Sequence, residues 1–392
     1  MTSKQRFLLA LQGGKPDRLP VTTHWVHEYF LRNVAHMDEQ RFYDRFGLDP
    51  ILYLAPHRPD PAKGWYFDPD QGEIGFLASR RIVADNWRIR REEIPGRENP
   101  TTRWSIVTPK GVLTMVLESD SYSSWVLEPL IKRRRDIELI GEYATAPLCD
   151  VSAVNRAARE YGERGLVRSY VCCFDIFGQP GTWQDATCLA GTEPMIMATY
   201  DDPQWVHEFL TILQQRKAIY LESMTGAAFD LLELGGGSAS STVISPRIFD
   251  EFVAPYDAAL IDIAHRRGQR IAYHTCGGMM PLLERIAALK PDAMETFTPH
   301  AMGGDADLAQ ARRRIPSNIC MIGGFDQYHY FTGCTPDDTR REVRRCFEQA
   351  GRAGGYILCP SDQFFEADLR LIEAFADEAH RCTYSITPRH LR

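Results

Sequence analysis

The chain has no apolar run of about 18 residues, the length a membrane-spanning helix requires. Its start, Met1-Thr2-Ser3-Lys4-Gln5-Arg6-Phe7, lacks the long apolar core of a secretory signal. Basic charge is not in excess either. Forty-five Lys and Arg against 52 Asp and Glu leave a net charge of −7, which argues against nucleic acid as the main partner. These absences predict a cytoplasmic protein that engages neither membrane nor nucleic acid. A disulfide framework is excluded by dilution, since ten cysteines are scattered over 392 residues. Several of them (Cys172, Cys173, Cys320) lie inside apolar runs, where a thiol packs as a small hydrophobe. No Gly-x-Gly-x-x-Gly turn opens a helix after the first strand, which disfavours a doubly wound dinucleotide-binding sheet. Gly235-Gly236-Gly237-Ser238 has the wrong spacing and reads as a flexible loop near the site.

Hydrophobic residues make up 44% of the chain and charged residues 25%, ordinary for a globular protein able to bury a large core. Apolar runs alternate with helical patterns. The runs are 17–24, 48–54, 166–172, 229–234, 270–275, 292–296, 319–324 and 356–359. Helical patterns occupy 3–12, 151–163, 203–224, 246–267, 280–289, 305–314, 336–352 and 366–381. Eight such repeats predict an α/β fold, a (β/α)8 barrel, with an N-terminal helical segment. From about 65 to 126 the texture changes to short alternating runs around the turn Pro109-Lys110-Gly111, which predicts an antiparallel β-hairpin insertion. We therefore expect one barrel domain over 1–392, interrupted at 65–126. The basic run Lys132-Arg133-Arg134-Arg135 reads as a solvated helix face.

In a barrel the strand C-termini meet on one face, so strand exits predict the content of the site. By that rule His24, Trp25, His27, Asp49, Cys173, Asp175, Glu233, His274, Cys276, Glu295, Asp326, Gln327, Cys359, Ser361 and Asp362 gather at one mouth. His274 and Cys276, two apart at a strand end, point the same way. With Cys359, at the exit of another strand, they form a candidate zinc site with one open position, and soft thiolates favour zinc over magnesium or calcium. The residues alone leave a second reading open, a hydrogen-bonded imidazole beside two packed thiols. Glu233 reads equally as a fourth ligand, a group orienting His274, or a lining carboxylate.

Several stretches resemble the uroporphyrinogen decarboxylase superfamily, and within it the corrinoid-dependent methyltransferase branch. They are Arg6-Phe7 with Asp17-Arg18-Leu19-Pro20-Val21, Gly235-Gly236-Gly237, Ser245-Pro246, Pro255-Tyr256, His274-Thr275-Cys276-Gly277-Gly278, Gly323-Gly324-Phe325-Asp326 and Gly354-Gly355-Tyr356-Ile357-Leu358-Cys359-Pro360-Ser361. The resemblance spans nearly the whole chain and implies a (β/α)8 barrel. It also implies zinc on His274, Cys276 and Cys359, the positions matching that branch's His-x-Cys and distant Cys. The decarboxylase needs an arginine-rich segment after the first strand to hold tetrapyrrole carboxylates. Here that region is His24-Trp25-Val26-His27-Glu28-Tyr29-Phe30, with Arg32 alone nearby.

The resulting expectation is a zinc-dependent methyltransferase taking a methyl group from a methoxylated aromatic, or similar donor, to a corrinoid (cobalamin). No Asp-x-His-x-x-Gly motif is present to hold the corrinoid, so a separate corrinoid-binding protein is implied as partner, and a homodimer is compatible. In this reading His24, Trp25, His27, Tyr29, Asp326, Gln327, Phe364 and Phe365 bind substrate. Glu233 or Asp362 assists proton delivery to the leaving oxygen. The alternatives are a metal-free decarboxylase or lyase acting through Asp49 or another mouth carboxylate, a methylcorrinoid-to-thiol or folate methyltransferase, and a non-catalytic corrinoid- or tetrapyrrole-binding protein.

Overall fold

The computed structural model describes residues 1–72, 77 and 79–384. Seven strands form one parallel sheet in chain order: β1 (Ile51–Tyr53), β2 (Leu166–Tyr170), β3 (Leu231–Gly235), β4 (Ile271–His274), β5 (Ala293–Thr296), β6 (Cys320–Gly323) and β7 (Tyr356–Ile357). Residues 20–22 close the gap between β7 and β1. Leu358 N donates to Pro20 O at 2.9 Å, Thr22 N to Leu358 O at 3.0 Å, and Asp49 N to Val21 O at 2.7 Å. With that eighth stave the sheet curls into a barrel without a free edge. Each of the eight apolar runs contributes one stave.

Alternation along the strands sorts the side chains. Ile51, Leu166, Leu231, Ala272, Ala293, Cys320, Ile322, Ile357 and Cys359 form one buried cluster inside the barrel, joined by Phe7, Ala10 and Leu11 of the first helix (Ser3–Leu11). Val167, Leu232, Leu234, Ile271, Tyr273, Met294, Met321, Tyr356 and Leu358 face the other way, into the larger core under the surrounding helices. Helix starts follow the capping signals. Thr2 and Thr335 form capping boxes, and Asp202-Pro203 and Ser245-Pro246 pair a capping side chain with proline in the first turn. Two helices, Thr182–Ala190 and Thr192–Asp201, follow glycines without a capping side chain. The first is buried at most of its positions and shows no polar stripe, which is why periodicity does not reveal it.

The insertion is larger than a hairpin. Arg88–Glu93, Thr101–Thr108, Gly111–Ser119 and Ser124–Glu128 make a four-stranded antiparallel sheet, with Thr108 opposite Gly111 across the expected turn. Residues 73–76 and 78 of that stretch lie outside the described residues. The basic run precedes the helix Asp136–Tyr143 instead of lying on it; Arg133 pairs with Asp136 and Arg134 with Asp202. Among the described residues no helix is long and apolar enough to cross a membrane.

Asp49 is not at the mouth. It precedes β1, at the strand's entrance, and is fully buried. Its carboxylate accepts from Ser3 Oγ (2.7 Å), Arg6 Nη1 (2.7 Å), Arg18 Nη1 (2.9 Å), Arg18 Nη2 (3.0 Å) and Val21 N (2.9 Å). One carboxylate thus clasps the first helix and the first stave to the barrel floor, and the role expected of it as a catalytic base falls away. Asp49→Ala, which leaves two guanidiniums without their shared anion, is expected to lower the unfolding free energy by about 3–5 kcal/mol, read from denaturant titration.

Candidate active site at the barrel mouth

Above the apolar layer the inward side chains become ionisable. Arg168 of β2, Glu233 of β3, His274 of β4 and Glu295 of β5 are all buried. Arg168 Nη2 donates to Glu233 Oε2 at 2.9 Å and to Glu295 Oε1 at 2.5 Å. His274 Nδ1 stands 3.2 Å from Glu295 Oε1 and 3.6 Å from Glu233 Oε1. His24, just past the first stave, sets its ring 5.1 Å from that of His274 and its Nε2 3.9 Å from Glu233 Oε2.

Two carboxylates and two imidazoles around one guanidinium cannot all keep ordinary protonation. Burial would raise Glu295, but Arg168 and the His274 hydrogen bond overcome it and hold that carboxyl below the usual range. Burial pushes Glu233 up to about 7, with Glu295 adding to the rise against the pull of His274 and Arg168. Burial also brings His24 down to about 4. For His274 burial is outweighed by Glu233, Cys276 and Glu295, which raise it. Glu295 Oε2 and Arg168 Nε have no hydrogen-bond partner.

Cys276 joins His274 through the glycines at the exit of β3. A Cβ on Gly237 would lie 2.6 Å from Cys276 Sγ, and one on Gly235 (φ +103°) 2.5 Å from His274 O. Only a bare backbone lets these strand ends approach so closely. At the end of β5 the backbone is strained, with Thr296 at φ +88° and Phe297 at φ +48°, a cost of about 1–3 kcal/mol each. Thr296 Oγ1, held there, donates to Thr275 O at 2.5 Å.

Among the described residues two sets of possible ligand atoms cluster, the atoms of each within 4.8 Å of one another: His24, Glu233, His274 and Glu295; and His274, Cys276 and Asp362. The second is an imidazole, thiol and carboxylate set that fits zinc. Cys359 belongs to neither. It is buried in the apolar layer below, with Ile51, Leu166, Ile322 and Ile357.

His24, Trp25, Tyr170, Glu233, His274, Cys276 and Asp362 line a cavity of about 420 Å³ whose lining, among the described residues, includes no Arg or Lys. Trp25 also borders a second cleft of about 660 Å³ with His27 and Tyr29. His27 caps a short helix, Nδ1 accepting from Tyr29 N at 3.1 Å. Tyr29 stands 4.4 Å from Tyr122, and Phe365 lies 4.6 Å from His27 and 5.2 Å from Tyr122 (ring centroids), so the tip of the insertion closes over these aromatics.

Three of the expected substrate contacts, Asp326, Gln327 and Phe364, are not among the residues lining this cavity. Phe364 is core, packed between Phe30 and Phe331 at 5.0 and 5.1 Å. Asp326 caps the helix Gln327–Tyr330 and pairs with His329. Gln327 is buried and its Oε1 accepts from Ser361 N and Oγ, both at 3.0 Å. Asp175 pairs with Arg216 at 2.7 Å. Sequence reasoning missed Arg168; the signal was a charge in register with Leu166 on the inward face of an apolar run.

The model of the uroporphyrinogen decarboxylase (URO-D) family matches residues 178–382, more than half of the chain, and the chain belongs to that family. It is 26% identical over 167 residues to uroporphyrinogen decarboxylase of Neisseria meningitidis serogroup C, covering 41% of this chain and 43% of that one. It is 26% identical over 166 residues to a methylated-thiol–coenzyme M methyltransferase of Methanosarcina mazei, covering 41% of each. The chain thus spans about two fifths of the length of these curated relatives. A solved methyltransferase from Methanosarcina mazei shares the fold, with a TM-score of 0.60 and 14% identity over 97% of this chain and 99% of that one.

Arg168→Met is expected to lower the unfolding free energy by about 3–5 kcal/mol, because it leaves buried carboxylates without their cation. Adding Glu233→Gln should return part of that loss in the same denaturant titration, whereas additive losses would mean that the pair is not coupled.

Proposed function

We propose that this family member is a zinc-dependent methyltransferase that moves a methyl group from a small methoxylated aromatic, or similar donor, to a corrinoid on a partner protein. The observation that carries the reading is His274 and Cys276 presented together at the floor of a cavity with aromatic walls. The similarity to a methylated-thiol–coenzyme M methyltransferase of Methanosarcina mazei supports methyl transfer as the reaction class, the donor named there being a methylated thiol. Bound on these residues, zinc would supply Lewis acidity, polarising an ether oxygen and making the phenolate a better leaving group.

The chain's own residues account for the remainder. Trp25 and Tyr170 offer flat apolar faces to a ring. Glu295, 3.2 Å from His274 Nδ1, fixes the imidazole's orientation, and Arg168 fixes Glu295 in turn. Glu233, on the cavity wall, stands where it can pass a proton to the departing oxygen. Decarboxylation of a tetrapyrrole fits less well. Among the described residues this cavity's lining offers four or more carboxylates no cation, the arginines Arg80, Arg81 and Arg91 lining an adjoining pocket instead, and Arg32 is exposed and paired with Glu28.

The test is protein purified without chelators, assayed for zinc and then offered methoxylated aromatics and methylamines with cob(I)alamin. The expected outcome is bound zinc and methylation of the corrinoid by a methoxylated aromatic. Cys276→Ser should lose the metal and slow turnover by more than about 100-fold, beyond what losing a supporting bond costs. Metal-free wild type, or carbon dioxide released from uroporphyrinogen, would overturn the reading.

A further inference from the structure

We infer that the third protein ligand of this site is the Asp362 carboxylate, with Cys359 left as a packed thiol beneath it. We infer also that the imidazole–thiolate–carboxylate set selects an oxygen-bound methyl donor over a sulfur-bound one. The donor half rests on the methyl-transfer reading above; the ligand assignment stands on geometry.

Register explains the placement. His274 pairs with Glu295, Glu295 with Ile322 and Ile322 with Ile357, so these four residues share one line across the sheet. Two residues on, Cys276 and Cys359 occupy equivalent positions on their own chains, which is why strand ends read from sequence join them. An eight-stranded barrel is sheared, however, by about eight residues per turn, or about one residue per strand step. Here the lines descend towards the barrel floor with increasing strand number, and Cys359 accordingly lies in the apolar layer with Ile51 and Leu166. Three steps separate β4 from β7, so the residue level with Cys276 is about three beyond Cys359. That residue is Asp362, and its ligand atom lies within 4.8 Å of those of His274 and Cys276.

The segment that carries Asp362 is held firmly. Ser361 N donates to Phe325 O at 3.0 Å, and Gln327 Oε1 takes both Ser361 N and Oγ at 3.0 Å. Gln363 N donates to Asp362 Oδ1 at 2.8 Å, turning the carboxyl group. Gln327 is thus a positioning residue. A carboxylate is a harder donor than a second thiolate and passes less electron density to the ion. The site then keeps more affinity for oxygen and less for a thioether or thiol.

Zinc-edge X-ray absorption of the zinc-loaded wild type counts the ligands directly. We expect one sulfur at about 2.3 Å, the remaining neighbours being nitrogen or oxygen at about 2.0–2.2 Å. Two sulfurs per zinc would overturn the assignment. Asp362→Ala should weaken zinc binding by at least tenfold, while Cys359→Ala should bind zinc as the wild type does, each compared at matched thermal unfolding midpoints. Should Cys359→Ala not fold, Asp362→Cys gives the same answer by raising the sulfur count from one to two. For the donor, the wild type should turn over methoxy compounds faster than their methylthio analogues, and the reverse preference overturns that half. A wild type that takes up no metal defeats the methyl-transfer reading instead, so the two failures are distinguishable.

Discussion

The guanidinium of Arg168 lies between two buried glutamates, and the mouth of the barrel is arranged around that contact. A carboxylate pair cannot be buried without a cation, and a cation cannot be buried without its anions. The network therefore fixes three strands by charge as well as by hydrogen bonds. Glu295 keeps its charge and orients His274; Glu233, at the edge of the same network, is pushed up to about 7 and faces the cavity. Beneath it Ile51, Leu166, Leu231, Ile322, Ile357 and Cys359 form a buried apolar cluster, so the ionisable groups stand between that cluster and the pocket.

Much of this was legible in the sequence. All eight staves sit in the apolar runs, because an inward-facing and an outward-facing apolar surface leave few polar positions in a barrel strand. His24, Glu233, His274, Cys276 and Asp362 do meet at the mouth. What was not legible follows from three-dimensional offsets. Asp49 borders an apolar run but stands at its entrance, and a run by itself does not show which end is up. Asp326 and Gln327 emerge at a strand exit yet turn to brace the next segment. Cys359 ends its run as Cys276 nearly does, and only the shear of the barrel shows that it stops about three residues short. The helix Thr182–Ala190 is buried on nearly every side, so it has no stripe to detect.

The cavity wall combines aromatic rings, ionisable groups and bare backbone. Around the mouth stand Trp25 and Tyr170, and the glycines after β3 open the room that Cys276 occupies. The backbone strain at Thr296 and Phe297 falls in the same place, beside the strand that supplies Glu295. Strain of this kind persists only where the surroundings enforce it. Here the Thr296 hydroxyl is bonded to the Thr275 carbonyl, between His274 and Cys276.

The central claim is that the mouth holds one metal ion on His274 and Cys276. Anomalous diffraction at the zinc edge from crystals of the zinc-loaded protein tests it most directly. The expected result is one strong peak at the barrel mouth, about 2.0–2.1 Å from the His274 imidazole and about 2.3 Å from Cys276 Sγ. A peak elsewhere, or none in protein shown to be folded, would contradict it.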